Sequence, residues 1–166
     1  MANASTTGFG FRPIKKVGQT DNNAGLGEYS VAASSALISH ASMVQLTADG
    51  VVLKSGNTTA NNLGVLNGVF FTDADTNKPT FANFSKASNT ATDITAFVND
   101  DPRQMYDIMS ADTAFNANEV GGCADQVDAD GTSPLFISKS KISATTAGTK
   151  AQLKIIGVSR DPDHSD

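Results

Sequence analysis

Apolar and polar positions along this chain alternate in short runs separated by turns. ITAFVND (94–100) alternates and predicts a strand, broken by Asp100-Asp101-Pro102. Tyr29, Val31 and Ala33 alternate with small polar residues, and LFISKSKIS (135–143) alternates on either face. This two-residue period belongs to half-buried strands. Leu46, Asp49-Gly50 and Val51 to Leu53 read as strand, tight turn, strand, because Asp-Gly accepts the positive φ of a hairpin turn. LGVLNGVFFTD (63–73) predicts a strand with Gly64 and Gly68 inside it, a sign of a bulge, a barrel corner or close backbone approach. PTFANF (79–84) runs back as a short strand, and AQLKIIGVSRDP (151–162) is another. RQMYDIMSAD (103–112) fits a strand better than a short helix, while the polar connection 115–134 has room for one short helix around Val120–Val127. The sum is about eight short strands spaced by turns, which predicts an all-β domain, a single barrel or sandwich. Residues 1–27 hold five glycines and Pro13 with no sustained period. They predict an extended N-terminal arm, with the β-rich domain spanning 28–166.

Composition sharpens this. Charged residues make up 17% of the 166 positions, against roughly 25% in ordinary soluble domains. Ala, Ser, Thr, Asn and Gly fill about half the chain, predicting a neutral polar surface that is covered by a partner at little desolvation cost. Fifteen of the 17 acids are Asp, a residue of turns and caps rather than helix interiors. The net charge of −5 weighs against general nucleic-acid binding. No apolar run reaches the about 18 residues of a membrane span, and MANASTTGFGF lacks the apolar stretch of a secretory signal. A chain made and folded in a cytosol is expected. Cys123 is the single cysteine, so no intrachain disulfide forms.

Candidate chemistry is sparse. D-A-D-T-N (73–77) resembles the start of a calcium loop. An EF-hand, however, needs Gly at position 6 and Glu at position 12, where this chain has Lys78 and Phe84. A polar hairpin turn ended by Pro79 is the expectation. Asp100 and Asp101 are adjacent, so in a strand their side chains face opposite ways and share no proton. Asp125, Asp128 and Asp130 read as solvated turn residues. His40 and His164 have no ligand partners at metal spacing, and no nucleophile or phosphate-loop motif occurs. Asn3, Asn57 and Asn83 match the glycosylation pattern by chance. No enzyme, cofactor or metal is expected.

What remains is charge polarity. Residues 1–20 carry net +3, and residues 93–130 carry nine acids against Arg103 alone. Complementary patches register protein–protein contacts. The exposed aromatics Phe9 and Phe11 suit a groove better than a free tail.

GFGFRPIKKVG (8–18), DNNAGLGEYSVA (21–32), LGVLNGVFFTDADTNKPTFANF (63–84), AFVNDDPRQMYDI (96–108) and AQLKIIGVSRDP (151–162) follow in this order over most of the chain. In these segments, most specifically the N-terminal one and VNDDP, the chain resembles capsid decoration (cement) proteins. These are small virion structural proteins of tailed bacteriophages from marine and cyanobacterial hosts. The resemblance implies a β-barrel-like domain on the capsid exterior that bridges subunits of the major capsid protein. The partners would be that protein and neighbouring copies in a trimeric ring, with no nucleic acid and no membrane involved. Phe9 and Phe11 would anchor the docked arm, and Arg12, Lys15 and Lys16 would meet acids of the capsid or of a neighbour. Asp100, Asp101, Asp107, Asp125 and Asp128 form the complementary acidic patch. Similar proteins continue past the Asp-Pro turn with one more strand where this chain stops at Asp166, which leaves barrel closure by a terminal strand open. The alternative is a tail, fibre or host-surface carbohydrate-binding component, built on the polar loops 55–62 and 115–134. The absence of Trp and the presence of only Tyr29 and Tyr106 make sugar stacking thin.

Overall fold

The computed structural model describes residues 7–17, 25–56, 61–111, 117–143 and 151–159. Asn3, Asn57, Asp112, His164 and the Asp-Pro turn at 161–162 lie outside the described residues. The fold is all-β. Eight strands of four residues or more follow in order: β1 (Arg12–Lys16), β2 (Gly27–Val31), β3 (Met43–Leu46), β4 (Val51–Lys54), β5 (Asn62–Thr72), β6 (Pro79–Ala82), β7 (Thr95–Asn99) and β8 (Gln104–Asp107). A short 3-10 turn (Ala117–Glu119) and four two-residue strands complete the set: β9 (Cys123–Ala124), β10 (Gln126–Val127), β11 (Lys141–Ile142) and β12 (Leu153–Lys154).

The main sheet runs β3-β4-β2-β7-β5-β6. Its pairings are antiparallel except β2 with β4. The first residues of β5 also pair β3, so the ladders of β3, β4, β2, β7 and β5 link in a circuit, and β6 extends the other half of β5. Each strand of that circuit sends side chains into one core: Val44, Val52, Val31, Ala96 with Val98, and Leu66 with Val69 and Phe71.

Strand β5 serves two layers because it changes phase. Leu66 faces Val98 and Gly68 faces Phe97, so Asn67 is an extra residue in the ladder. This bulge reverses the parity of the strand. Leu66 and Val69, three apart, therefore both enter the same core, while Val65 enters a second one. A glycine stands on each side of the bulge, and the one at 64 is required by the backbone. A Cβ at Gly64 would collide with the Asn99 carbonyl, and the Phe81 ring occupies the space where one on Gly68 would stand.

The second core joins Phe11, Ala41, Met43 and Val65 to Tyr106, Ile108 and Leu153, and a third gathers Ala124, Ile142 and Ile155. Three two-stranded pairings, β1–β8, β10–β11 and β12–β9, cover them. Ser39, Ser42, Ser55, Ser85, Ser138 and Ser140 are fully buried. Part of the small-polar composition expected on the surface therefore fills the seams between layers, with Ser138 bonded to Ser140 at 2.9 Å.

Three expectations need correction. The segment Val120–Val127 is not helical but carries β9 and β10. Among the described residues, the strands expected over 135–143 and 151–162 shrink to β11 and β12. The arm expected over 1–27 is, at residues 11–17, part of the folded body. Phe11 is fully buried, and β1 is laddered onto β8. Burying an aromatic ring and completing a ladder outweighs leaving both in water.

Candidate functional site

The basic segment and the acidic segment meet within the chain. Strand β1 pairs β8 with Arg12 opposite Asp107 and Lys16 opposite Gln104. The ladder is irregular between Pro13 and Lys15, as expected where proline supplies no N–H. Arg12 forms an ion pair with Asp107 and lies over the Phe9 ring, 5.4 Å from its centroid. The Lys16 ammonium is 2.6 Å from Asp101, and Arg103 Nε is 3.7 Å from the same carboxylate. Lys15 keeps an exposed side chain, while its carbonyl accepts from Gln104 Nε2 at 3.2 Å. Phe11 donates its N–H to the Ala41 carbonyl at 2.9 Å and meets Tyr106 edge to face, centroids 6.0 Å apart.

These contacts set the electrostatics. The hydrogen bond from Lys16, then the backbone N–H of Arg103, hold the Asp101 carboxyl below the usual carboxylate range. Tyr29 donates its hydroxyl to Asp100 at 2.5 Å, and this bond, followed by burial, pushes the phenol up. Burial, then the negative charges of Asp100 and Asp101, raise Tyr106 as well; its hydroxyl donates to the Asn99 carbonyl at 3.0 Å. Both tyrosines thus stay donors, and Arg12, Lys16 and Arg103 are matched by Asp107 and Asp101, while Gln104 Oε1 is buried without a partner. What they do together is clamp β1 to β8.

Asp125 and Asp128 belong elsewhere. Asp125 accepts the Gln152 N–H at 3.2 Å. Asp128 and Asp130 each hold the Lys54 ammonium at 2.7 Å, and Ser140 donates to Asp128 at 3.2 Å. The expected patch of five carboxylates is therefore two groups. Asp100, Asp101 and Asp107 lie along the β1–β8 seam, while Asp125 and Asp128 lie in the 125–130 segment. Lys54, which the sequence did not mark, supplies the cation there.

The D-A-D-T-N stretch is the hairpin turn between β5 and β6, closed by the Asp73 N–H to the Lys78 carbonyl at 3.0 Å. Asp73 Oδ1 accepts the N–H groups of Asp75 and Thr76 at 3.1 and 2.8 Å and the Thr76 hydroxyl at 2.9 Å. The Thr76 backbone bond leads in lowering its pKa. The carboxylate thus folds its own turn. Among the described residues no three His, Cys, Asp or Glu side chains converge as a metal set. Cys123 is a half-buried free thiol.

Sequence reasoning missed an outward aromatic face. Phe70 and Phe81 stand opposite each other across β5 and β6. They are 41% and 58% exposed, and the Phe81 ring lies 6.0 Å from that of Phe97. The signal was available: Phe70 and Phe81 are equidistant from the Asp73–Lys78 turn, so any hairpin centred there pairs them. Compared with protein-family models, curated proteins and solved structures, the chain has no match.

Proposed function

We propose that this chain is a virion structural protein, a capsid decoration protein that sits on the outer face of the head and bridges subunits of the major capsid protein. The reading rests on the resemblance carried by GFGFRPIKKVG and VNDDP, and on one structural observation, the outward face of Phe70, Phe81 and Phe97. Soluble bodies rarely leave adjacent large aromatics in water without a use for them. The β6 edge beside them carries Phe81 where natural edges commonly place a charged guard. Such a face suits a large protein partner, and many modest contacts around a shell would add up through avidity. With residues 11–16 committed to the chain's own body, docking by an extended arm gives way to docking by this face. Neighbouring copies would complete the contact ring.

The test is reconstitution. Particles stripped of this chain are incubated with the wild-type protein or with Phe81→Ser, and occupancy is read by cryo-electron microscopy. The proposal expects many copies of wild type on the outer shell, with occupancy at a fixed concentration reduced about ten-fold for the variant, the scale of one interface anchor. Wild type absent from the shell, or confined to a few copies at the tail, would move the function to adsorption. Equal occupancy by the variant would remove the aromatic face from it.

A further inference from the structure

Each of the other five strands of the main sheet is laddered to at least two neighbours, whereas β6 is laddered to β5 alone. Among the described residues, the far side of β6 is thus an open edge. Ladder parity shows what this edge offers. The turn closes with the Asp73 N–H on the Lys78 carbonyl. The next N–H on β5, that of Thr72, points away from β6 to the Asp93 carboxylate. Hydrogen-bonded and non-bonded pairs alternate along an antiparallel ladder. In the observed register, Thr72–Pro79 is therefore non-bonded, Phe71–Thr80 bonded, Phe70–Phe81 non-bonded and Val69–Ala82 bonded. Phe81 turns both its N–H and its carbonyl outward. Pro79 turns its missing N–H the same way, as proline does on an edge.

Little shields that donor and acceptor. Edges are normally guarded by charge, by proline or by a covering element. Strand β1, laddered to β8 alone, carries Arg12, Lys15 and Lys16. Strand β6, PTFA, has no charged residue, and Pro79 guards one end only. The Phe81 ring leans the other way, over Gly68, where an added Cβ would stand 2.7 Å from its Cζ. Its centroid is 6.0 Å from that of Phe97, so the ring covers its own sheet and leaves the edge bare.

We propose that two copies of this chain pair β6 edge to edge as a two-fold dimer. A two-fold axis through Phe81, perpendicular to the sheet, sets the two strands antiparallel. Phe81 of each copy then donates to and accepts from Phe81 of the other, so the edge is its own complement. Each copy brings the matching edge with it, which an unrelated partner would have to supply. The strand is four residues long, so the buried area falls below the about 1,200 Å² of stable complexes and the dimer is weak. Pairing in the plane of the sheet leaves the Phe70 and Phe81 rings of both copies facing the same way. The proposal thus goes beyond the capsid reading and does not need it.

Sedimentation equilibrium of the full chain should show the average mass rising from 17.2 kDa toward twice that value, with half of the chains paired near about 0.3 mM. Hydrogen exchange followed by NMR locates the contact. The Phe81 amide should exchange about three-fold more slowly at about 1 mM than at about 0.01 mM, while the Thr80 and Ala82 amides, bonded to β5, stay unchanged. Phe81→Pro withdraws the outward donor, spares the β5–β6 bonds and should remain monomeric. Phe81→Ser keeps the N–H and should dimerise as wild type does, so shell occupancy turns on the ring and dimerisation on the backbone. A wild type still monomeric at about 1 mM, association beyond a dimer, an unchanged Phe81 amide, or loss of the dimer in Phe81→Ser would each overturn the proposal. The concentration series on wild type decides it even if Phe81→Pro does not fold.

Discussion

Replacing Phe11 by Ala should cost the protein about 3 kcal/mol of stability, the lower end of the 3–5 kcal/mol for truncating a buried Phe. The lower end applies because the ring, though fully buried, belongs to a small core cluster whose other buried members are Ala41, Met43 and Val65. About 0.5–1.5 kcal/mol of the loss is the edge-to-face pair with Tyr106, whose centroids are 6.0 Å apart. The backbone bond from Phe11 to Ala41 survives the substitution. Urea unfolding followed by far-ultraviolet circular dichroism measures the effect. With a slope of about 2 kcal/mol per molar, the midpoint should fall by about 1.5 M. Ile14→Ala is the control on the same strand; Ile14 is 44% exposed, and its truncation should stay within about 0.5 kcal/mol. If Phe11→Ala moves the midpoint no more than the control does, residues 11–16 are not part of the folded body, and the reasoning that retires the docking arm fails with them.

Two further predictions concern the ion pairs. The Asp101 pKa is lowered in the folded state by Lys16 and the Arg103 N–H, so its contribution is present above the unfolded value of about 3.9 and is lost as pH falls through the lower folded value. Asp101→Asn should therefore flatten the acid limb of stability below about pH 4 and speed exchange of the Val17 N–H, which bonds the Arg103 carbonyl; an unchanged limb would deny that the carboxylate holds β1. Burial pushes the Lys54 pKa down, but the hydrogen bonds to Asp128 and Asp130 outweigh it and the net shift is upward. Its contribution is accordingly complete below the unfolded value of about 10.4 and lost as pH rises through the higher folded one. Lys54→Met leaves two carboxylates facing each other and should cost about 1–2 kcal/mol at neutral pH, between exposed and fully buried pairs; a variant as stable as wild type in urea would refute the bridge.

The parts of the fold legible in the sequence are those whose cause is local. Asp49-Gly50 announces the β3–β4 hairpin, and D-A-D-T-N with Pro79 announces the β5–β6 turn, because turn chemistry is carried by the residues in the turn. Gly64 and Gly68 signal a break in β5, although nothing local says that the break sends one strand into two cores. Strands β9 and β10 were illegible, and β11 and β12 were read as far longer than they are, for the opposite reason. Each is two residues long, too short to show a period, and exists because a distant partner is there: Ile142 beside Gln126, Leu153 beside Ala124. The buried serines misled in the same way, since Ser138 and Ser140 satisfy each other only once the fold has brought them out of water.

The candidate site was legible as charge and illegible as partnership. A basic segment and an acidic one predict a contact, but composition carries no information on whether the contact lies within one chain or between two. Arg12 and Asp107, 95 residues apart, find each other inside the molecule because a strand already tethered to its own body meets its acids at a far higher effective concentration than any neighbour offers. That internal match has a consequence for docking. Ion pairs satisfied within the chain are not available to a shell, so binding through Phe70, Phe81 and Phe97 would be an apolar contact with little salt dependence. An arm reaching out with Arg12, Lys15 and Lys16 would be screened away within about 8 Å at physiological ionic strength and weaken steeply as salt rises. Occupancy that survives high salt would therefore fit the aromatic face, and occupancy lost to salt would return the basic strand to the interface.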